Sequence, residues 1–397
     1  MLKLRSISKI EFDNYVKENT NTHFMHSSAW GEFEKVTSHV TPHYLGLTDE
    51  DNTIVAATLL LEEHLPLNNS NLYAPRGFVI DYNDKSLLKT FTTKLKDFAK
   101  TRKATSIRIN PSLTTTDDAL ATLKELNYKK NSHVKLLEYT YKIDLTKNLK
   151  EIEKEYSDNV KENLLKTEKY DVELLIADPK DFEEFLTLQD NKNNDYYETL
   201  YDIFRNNEYT KIKLLLGKLH ITKTLKILEK ELVRVNNQIA IIPIDNLDAS
   251  SKERLTNLRK QKDQINEDLK RFKSYKLEYG NSLTISAALV MEQNDKVWIL
   301  SEANNEVLLE TNLNYRIYNE YIKYYKNNSF NLFNQLSPLE SNQSFNEFKK
   351  EFGGEFIEYI GDYVLVTNHI TNFIQNKVVP LFKAFKKEEQ NETSNSN

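Results

Sequence analysis

Between residues 217 and 279 the apolar positions recur at steps of three and four. Leu225, Leu228, Leu232, Val235 and Ile239 make one strip, and Leu255, Leu258, Ile265, Leu269 and Phe272 make a second in which Lys262 takes the intervening slot. Strips this narrow bury themselves only against one another, as the a/d seam of a coiled coil. Ile242-Pro243-Ile244-Asp245-Asn246 stops the first helix, and residues 248–251 offer N-caps for the second. The pattern predicts an antiparallel helical arm inserted in a globular body.

That body alternates helix and strand. Over residues 1–145 the periodicity predicts helices at 9–19, 28–37, 86–102 and 117–126, with strands at 43–47, 53–62, 104–110 and 138–144. Residues 54–61 are almost wholly apolar, which suits a strand covered on both faces. Residues 71–81, with Tyr73-Ala74-Pro75-Arg76-Gly77, read as a turn entering a strand. The rhythm then starts over: a charged helix at 151–169, a strand at 172–177, helices at 180–189 and 196–205, and a strand at 210–216. After the arm come strands at 283–292 and 296–301, a Tyr-rich helix at 312–326, and strands at 330–333 and 355–366. Residues 368–387 read as a closing helix, and 388–397 as a polar, disordered tail. The expected fold class is therefore α/β (α+β), with two similar units of mixed sheet flanked by helices. One spans 1–145; the other combines 146–216 with 280–367 and carries the arm (217–279) as an insertion. A cleft between such units is a common place for a ligand.

Composition narrows the chemistry. The chain has 397 residues, of which 39% are apolar, and its 22 Tyr and 19 Phe can fill sizeable cores. It has no cysteine, which excludes disulfides, thiolate metal sites and a cysteine nucleophile together. The eight histidines are scattered, although His23 and His26 lie close, and no metal is expected. Eight glycines form neither GxGxxG nor GxxxxGK[ST], so the common phosphate cradles are missing and no cofactor is expected. Residues 1–13 lack the apolar run of a signal peptide and no stretch of about 20 apolar residues occurs, so a cytoplasmic protein is expected.

Charge separates the arm from the body. Residues 217–279 hold 14 Lys plus Arg against 9 Asp plus Glu, a net of +5, which leaves −10 on the remainder. A basic arm on an acidic body suits a polyanionic partner, although solvated coiled-coil faces carry Lys and Glu in any case. The arm is also a candidate dimerisation element, so monomer and homodimer both stand.

Four stretches carry a resemblance: His26-Ser-Ser-Ala-Trp30 followed by Lys35; Tyr73-Ala-Pro-Arg76-Gly77-Phe-Val-Ile-Asp81-Tyr82; Glu278-Tyr-Gly280-Asn281-Ser-Leu-Thr-Ile285-Ser286-Ala287; and Phe348-Lys-Lys-Glu-Phe352 through Glu358-Tyr359-Ile-Gly361-Asp362. With the arm at its place, the chain resembles the Fem-type peptidyl transferases over nearly its whole length. The resemblance implies two acetyltransferase-like (GNAT-like) subdomains. It implies transfer of an amino acid of the Gly, Ser or Ala class from aminoacyl-tRNA to the stem-peptide amine of lipid II or a related cell-wall precursor. Some relatives act as immunity factors against a cross-bridge endopeptidase. An acetyltransferase proper needs a Gly-rich turn for coenzyme A; without one, the activated acyl group must arrive on another carrier. Lys223, Lys226, Lys230, Arg234, Arg254, Arg259 and Lys260 on the arm are the candidate tRNA contacts. The closing helix, apolar with Lys377, Lys383, Lys386 and Lys387 beside its apolar positions, suits either core packing or an anionic membrane surface.

By the same resemblance Lys35 and Lys192 stand where the family holds the precursor's diphosphate, with Tyr196 in the motif after Lys192. Arg76 either binds substrate or braces its turn. Asn110-Pro111 stands where the family commonly has Asp-Pro, an Asp considered as proton acceptor; an amide cannot serve as that base. Ser301-Glu302 replaces a common Gly pair, and Phe330-Asn-Leu-Phe333-Asn334 lacks a usual glycine. Either the amine loses its proton without residue 110, or the chain is a diverged, non-catalytic binding protein on the same scaffold.

Overall fold

Strand-forming runs and capped helices assemble into two seven-stranded mixed sheets in a computed structural model that describes residues 2–368 apart from 21, 116–117, 134, 190–192, 244–247 and 336–342. The closing helix and tail expected beyond residue 368 lie outside the described residues. The first sheet runs β1 (Lys3–Ser6), β2 (Thr41–Thr48), β3 (Ile54–Leu65), β4 (Asn69–Ala74), β5 (Ala104–Ile109), β14 (Tyr363–Val366) and β6 (Lys129–Lys130). The second runs β13 (Glu355–Glu358), β7 (Tyr139–Asp144), β12 (Leu332–Asn334), β11 (Lys296–Asn304), β10 (Leu283–Gln293), β9 (Thr210–Leu219) and β8 (Val172–Ile176). The helices are α1 (Lys9–Glu18), α2 (Ser28–Thr37), α3 (Lys85–Thr101), α4 (Ala119–Glu125), α5 (Leu149–Lys154), α6 (Asp158–Thr167), α7 (Phe182–Leu188), α8 (Asn194–Phe204), α9 (Ile221–Ala240), α10 (Ala249–Tyr279), α11 (Glu306–Glu310), α12 (Leu313–Asn327) and α13 (Gln343–Lys350).

The two sheets exchange strands. β7, which the sequence pattern groups with the first unit, pairs with β12 and β13 in the second sheet. β14 lies in the second sequence unit, yet pairs with β5 and β6 in the first sheet. The single strand predicted over 355–366 is thus two strands, broken at Gly361, whose φ of 74° turns the chain from one sheet to the other. The helix predicted over 151–169 also divides. Ser157 caps α6 by accepting from the Val160 amide at 3.2 Å, and its own hydroxyl donates to Glu351 at 2.9 Å. The 71–81 segment runs in the reverse order of the expectation, since β4 precedes the Pro75-Arg76-Gly77 turn.

The apolar run in β3 does face two cores. Ala57, Leu59 and Leu61 point into a cluster shared by both sheets, together with Trp30 and Phe33 of α2, Phe204 of α8, and Leu289 and Met291 of β10. Ala56 and Leu60 point the other way, against Leu88, Phe91 and Leu95 of α3. At roughly 25 cal/mol per Å² of apolar surface, burial in the shared cluster adds to the strand exchange in holding the sheets together.

β9 and β10 are antiparallel neighbours, with Leu219 opposite Leu283, and the α9–α10 hairpin is an excursion between them. Leu225, Leu228 and Val235 of α9 and Leu255, Leu258, Ile265, Leu269 and Phe272 of α10 are buried in one cluster, with Leu232 and Ile239 half-buried against it. Gln261 donates across the hairpin to Glu231 at 3.0 Å. At the base the buried Asp268 of α10 accepts from Lys169, which follows α6, and so ties the hairpin to the body.

Candidate functional site

A cleft of about 860 Å³ opens on the first sheet. Leu61 and Glu63 of β3, Tyr73 of β4, Arg108 of β5, and Val364 and Val366 of β14 form its floor. Trp30, Glu34 and Ser38 on the α2 side make one wall, and Lys129, Lys130, His133 and Lys135 another. The second wall is strapped down by the buried Asp362, which accepts from the Arg108 guanidinium and, at 2.8 Å, from the Lys135 amide. Lys130 adds an ion pair with Glu138 at 3.0 Å. The Lys135 ammonium lies 4.5 Å from the centroid of the Tyr73 ring, and burial pushes the Tyr73 hydroxyl above its ordinary range.

α2 is built to stand at this cleft. Ser27 caps it by accepting from the Trp30 amide at 3.1 Å, and Asp13 of α1 accepts from the Ser28 amide at 2.7 Å. Gly31 leaves room for Tyr44, whose hydroxyl donates to the Ser28 carbonyl at 3.0 Å. Lys35, in the last turn, is exposed, with the Glu32 carboxylate 4.0 Å away. Tyr196 of α8 packs edge-on against Phe33 of α2, with ring centroids 5.1 Å apart. Lys192 lies outside the described residues.

Arg76 and Asn110 are brought into direct contact at the opposite rim. Arg76 sits at φ 57° in the turn after β4, and its amide donates to Asn110 Oδ1 at 2.7 Å. Both residues are buried. The Arg76 guanidinium stacks 5.1 Å from the Tyr359 centroid, and burial pulls its pKa down from the ordinary value. Asn110 therefore ties the end of β5 to the turn whose Pro75 lines the cleft. Its oxygen is already used, and an amide has no basic lone pair.

Comparison with known proteins places the chain. The FemAB family model matches residues 7–138 and 122–376. The chain belongs to the FemAB family. It is 25% identical to the lipid II:glycine glycyltransferase of Staphylococcus aureus (strain MRSA252), over 91% of this chain and 92% of that one. It is 23% identical to the aminoacyltransferase FemA of Staphylococcus epidermidis, over 92% of this chain and 96% of that one. The crystal structure of FemX superposes with a TM-score of 0.74 at 19% identity, covering 94% of this chain and 99% of that one, so the fold is shared. FemAB relatives are thus aminoacyltransferases by name, and transferase chemistry is the frame for the site.

On the hairpin of this FemAB protein all seven candidate cations are exposed. Arg234 pairs with Glu231 at 2.5 Å and Lys223 with Asp171 at 3.6 Å, while Lys226, Lys230, Arg254, Arg259 and Lys260 make no ion pair among the described residues. Lys223, Lys226, Lys230 and Arg234 fall on the α9 face opposite its buried seam, at the three-and-four spacing that sets side chains in one row. Among the described residues no helix is long and apolar enough to cross a membrane, and no group of three His, Asp or Glu is placed to hold a metal.

His23 and His26 are instead structural. His26 Nδ1 accepts from the His23 amide at 3.3 Å, and His23 Nδ1 accepts from the Met25 amide at 3.2 Å. Burial, reinforced by the Arg76 charge, holds His23 well below its ordinary pKa and brings His26 down to about 4. The unfolded chain takes up these protons near pH 6.5, before the folded chain does, so stability falls as pH drops through that value and, for His26, on to about 4. Through His26 alone about 3 kcal/mol of the stability present at pH 7 is expected to be lost by pH 4. Urea denaturation of the wild type and of His26→Asn at a series of pH values checks this; equal slopes for the two proteins would refute it.

Glu34, Tyr73, Arg108, Lys135 and Asp362 carry the cleft and were not singled out from the sequence. Tyr73 and Asp362 do sit inside the stretches that carry the resemblance, which was the available signal, and Glu34 lies between Trp30 and Lys35 of one of them; Arg108 and Lys135 had none.

Proposed function

We propose that this FemAB protein moves an amino acid of the Gly, Ser or Ala class from aminoacyl-tRNA to the stem-peptide amine of lipid II or a related peptidoglycan precursor. The observation that carries the reading is the cleft itself: it presents Glu34 on the α2 wall and Glu63 on the floor, faced by the strapped wall of Lys129, Lys130 and Lys135, and the exposed Lys35 follows Glu34 on α2. A stem peptide carries both carboxylates and an amine, so a two-signed groove suits it. Lys35, with Lys192, supplies point charges for the diphosphate; a lysine keeps the charge but lacks the bidentate fork of arginine.

The donor ester is already activated, so no side-chain nucleophile is needed. The protein has to hold amine and carbonyl in near-attack geometry, stabilise the oxyanion and move a proton. The hairpin offers tRNA phosphates a sequence-independent grip. An altered cross-bridge would be the cellular product, which is also what an endopeptidase immunity factor makes.

Incubating the purified protein with glycyl-, seryl- or alanyl-tRNA and lipid II, followed by mass spectrometry, is expected to show the precursor gain one of these residues. No addition from any donor would instead make the chain a non-catalytic binding protein on the FemAB scaffold.

A further inference from the structure

Aminoacyl transfer to an ammonium cannot proceed until the nitrogen has lost a proton, and residue 110 is a buried amide. We propose that Glu34 of α2 is the group that receives the acceptor amine and takes that proton. The proposal rests on the transferase reading above and assigns the step that Asn110 cannot perform.

The carboxylates that line the cleft among the described residues are Glu34 and Glu63. Glu63 is exposed near the end of β3, whereas Glu34 is half-buried in the helix wall. Ser38 Oγ donates to Glu34 Oε2 at 2.6 Å, which holds the carboxylate by one oxygen. Burial raises the Glu34 pKa above that of an ordinary carboxylate, against the Ser38 hydrogen bond and the charge of Lys135, and so brings it nearer to working pH.

The same corner already accommodates a primary ammonium. Lys135 extends its Nζ over the Tyr73 ring at 4.5 Å, close enough to Glu34 for its charge to oppose the rise in the Glu34 pKa. With the Tyr73 ring taken by Lys135, an incoming alkylammonium meets a carboxylate and a like charge. The first binds it, and the second disfavours its protonated form. The other charged and titratable groups of the cleft that face Glu34 are Lys129 and Lys130 of β6, His133 beyond it, Arg108 of β5 and Glu63 of β3, with Lys35 on its own helix.

The step balances as follows. The ammonium gives one proton to the Glu34 carboxylate, and the neutral amine attacks the ester carbonyl, forming the C–N bond. The C–O bond to the tRNA ribose then breaks, its oxygen taking a second proton from the amine nitrogen. Amide, free tRNA hydroxyl and protonated Glu34 result, and Glu34 releases its proton to solvent.

Glu34→Gln keeps size and exposure while removing the base. It is expected to lower kcat for transfer to lipid II about 10²- to 10⁴-fold, with a much smaller change in KM, and Glu34→Asp is expected to restore part of the loss. The wild-type rate should fall on the acid side as Glu34 protonates, and the variant should lose that limb. Hydroxylamine, neutral at pH 7, needs no base: with the uncatalysed reaction subtracted, both proteins should accelerate transfer of the amino acid to it from aminoacyl-tRNA to a similar extent. A variant with unchanged kcat and acid limb on lipid II overturns the assignment while leaving the transferase reading intact, and an equal loss on hydroxylamine also overturns it, by marking Glu34 as merely structural. A wild-type protein that transfers to neither acceptor overturns the function and this step together.

Discussion

Lys349→Met is expected to cost about 3 to 5 kcal/mol of folding stability, because it strands a buried carboxylate. Lys349 of α13 meets Glu302 of β11 at 2.5 Å, with side chains only 6% and 7% exposed. The pair lies against Tyr318, whose ring centroid is 5.9 Å from the lysine nitrogen, and burial with the Glu302 charge pushes the Tyr318 hydroxyl well above its ordinary range. Domains of this kind have about 5 to 15 kcal/mol in total, so the loss is a large fraction of the reserve. Adding Glu302→Gln should recover most of the stability, since a neutral pair carries no stranded charge. Urea midpoints of the wild type, the single variant and the double variant decide the matter, and a single variant as stable as the wild type would count against it. The pair also accounts for a departure from the family pattern. Where a Gly pair is common, Ser301 is held by Gln189 at 2.8 Å and Glu302 by Lys349.

Neutralising Lys226, Lys230, Arg259 and Lys260 together should weaken aminoacyl-tRNA binding by roughly 200- to 900-fold at about 0.15 M salt, if each meets one phosphate. Each lost contact removes about 0.7 to 0.9 from the slope of log affinity against log salt, and the fold-change follows by extrapolating from about 1 M, where the contribution vanishes. All four side chains are exposed and make no ion pair among the described residues, so their removal leaves no stranded partner and little change in stability is expected. A short aminoacylated oligonucleotide, too small to reach the hairpin, should be used equally well by both proteins. Binding isotherms over a salt series test the grip; an unchanged slope would remove the hairpin from the donor site. Measuring mass in solution with the hairpin deleted tests its other candidate role, dimerisation.

Much of the fold was legible because helices and strands are set by short-range periodicity. The α2 bounds, the hairpin seam and the two-faced β3 all follow from residues within a few positions of one another. Breaks were harder to read. Ser157 looks like any polar helix position until Glu351 meets it, and Gly361 marks a turn only because β13 and β14 enter different sheets. The cleft was less legible still. Lys35, Tyr196 and Asn110 were expected through family stretches; Lys35 and Tyr196 are not among the residues that line the cleft, Asn110 braces the Arg76 turn, and Glu34 was not singled out.

What the sequence determined by itself was the kind of protein: two α/β units, an inserted basic hairpin, and chemistry without cysteine, metal spacing or a Gly-rich phosphate loop. Only the tertiary structure decided which strands trade sheets and which side chains form the site. Arg108 and Asp362 stand 254 residues apart along the chain, yet together they anchor one wall of the cleft. Periodicity reports how a residue sits relative to its near neighbours. A cleft depends on which distant surfaces come together when apolar faces are buried, and no local pattern encodes that pairing.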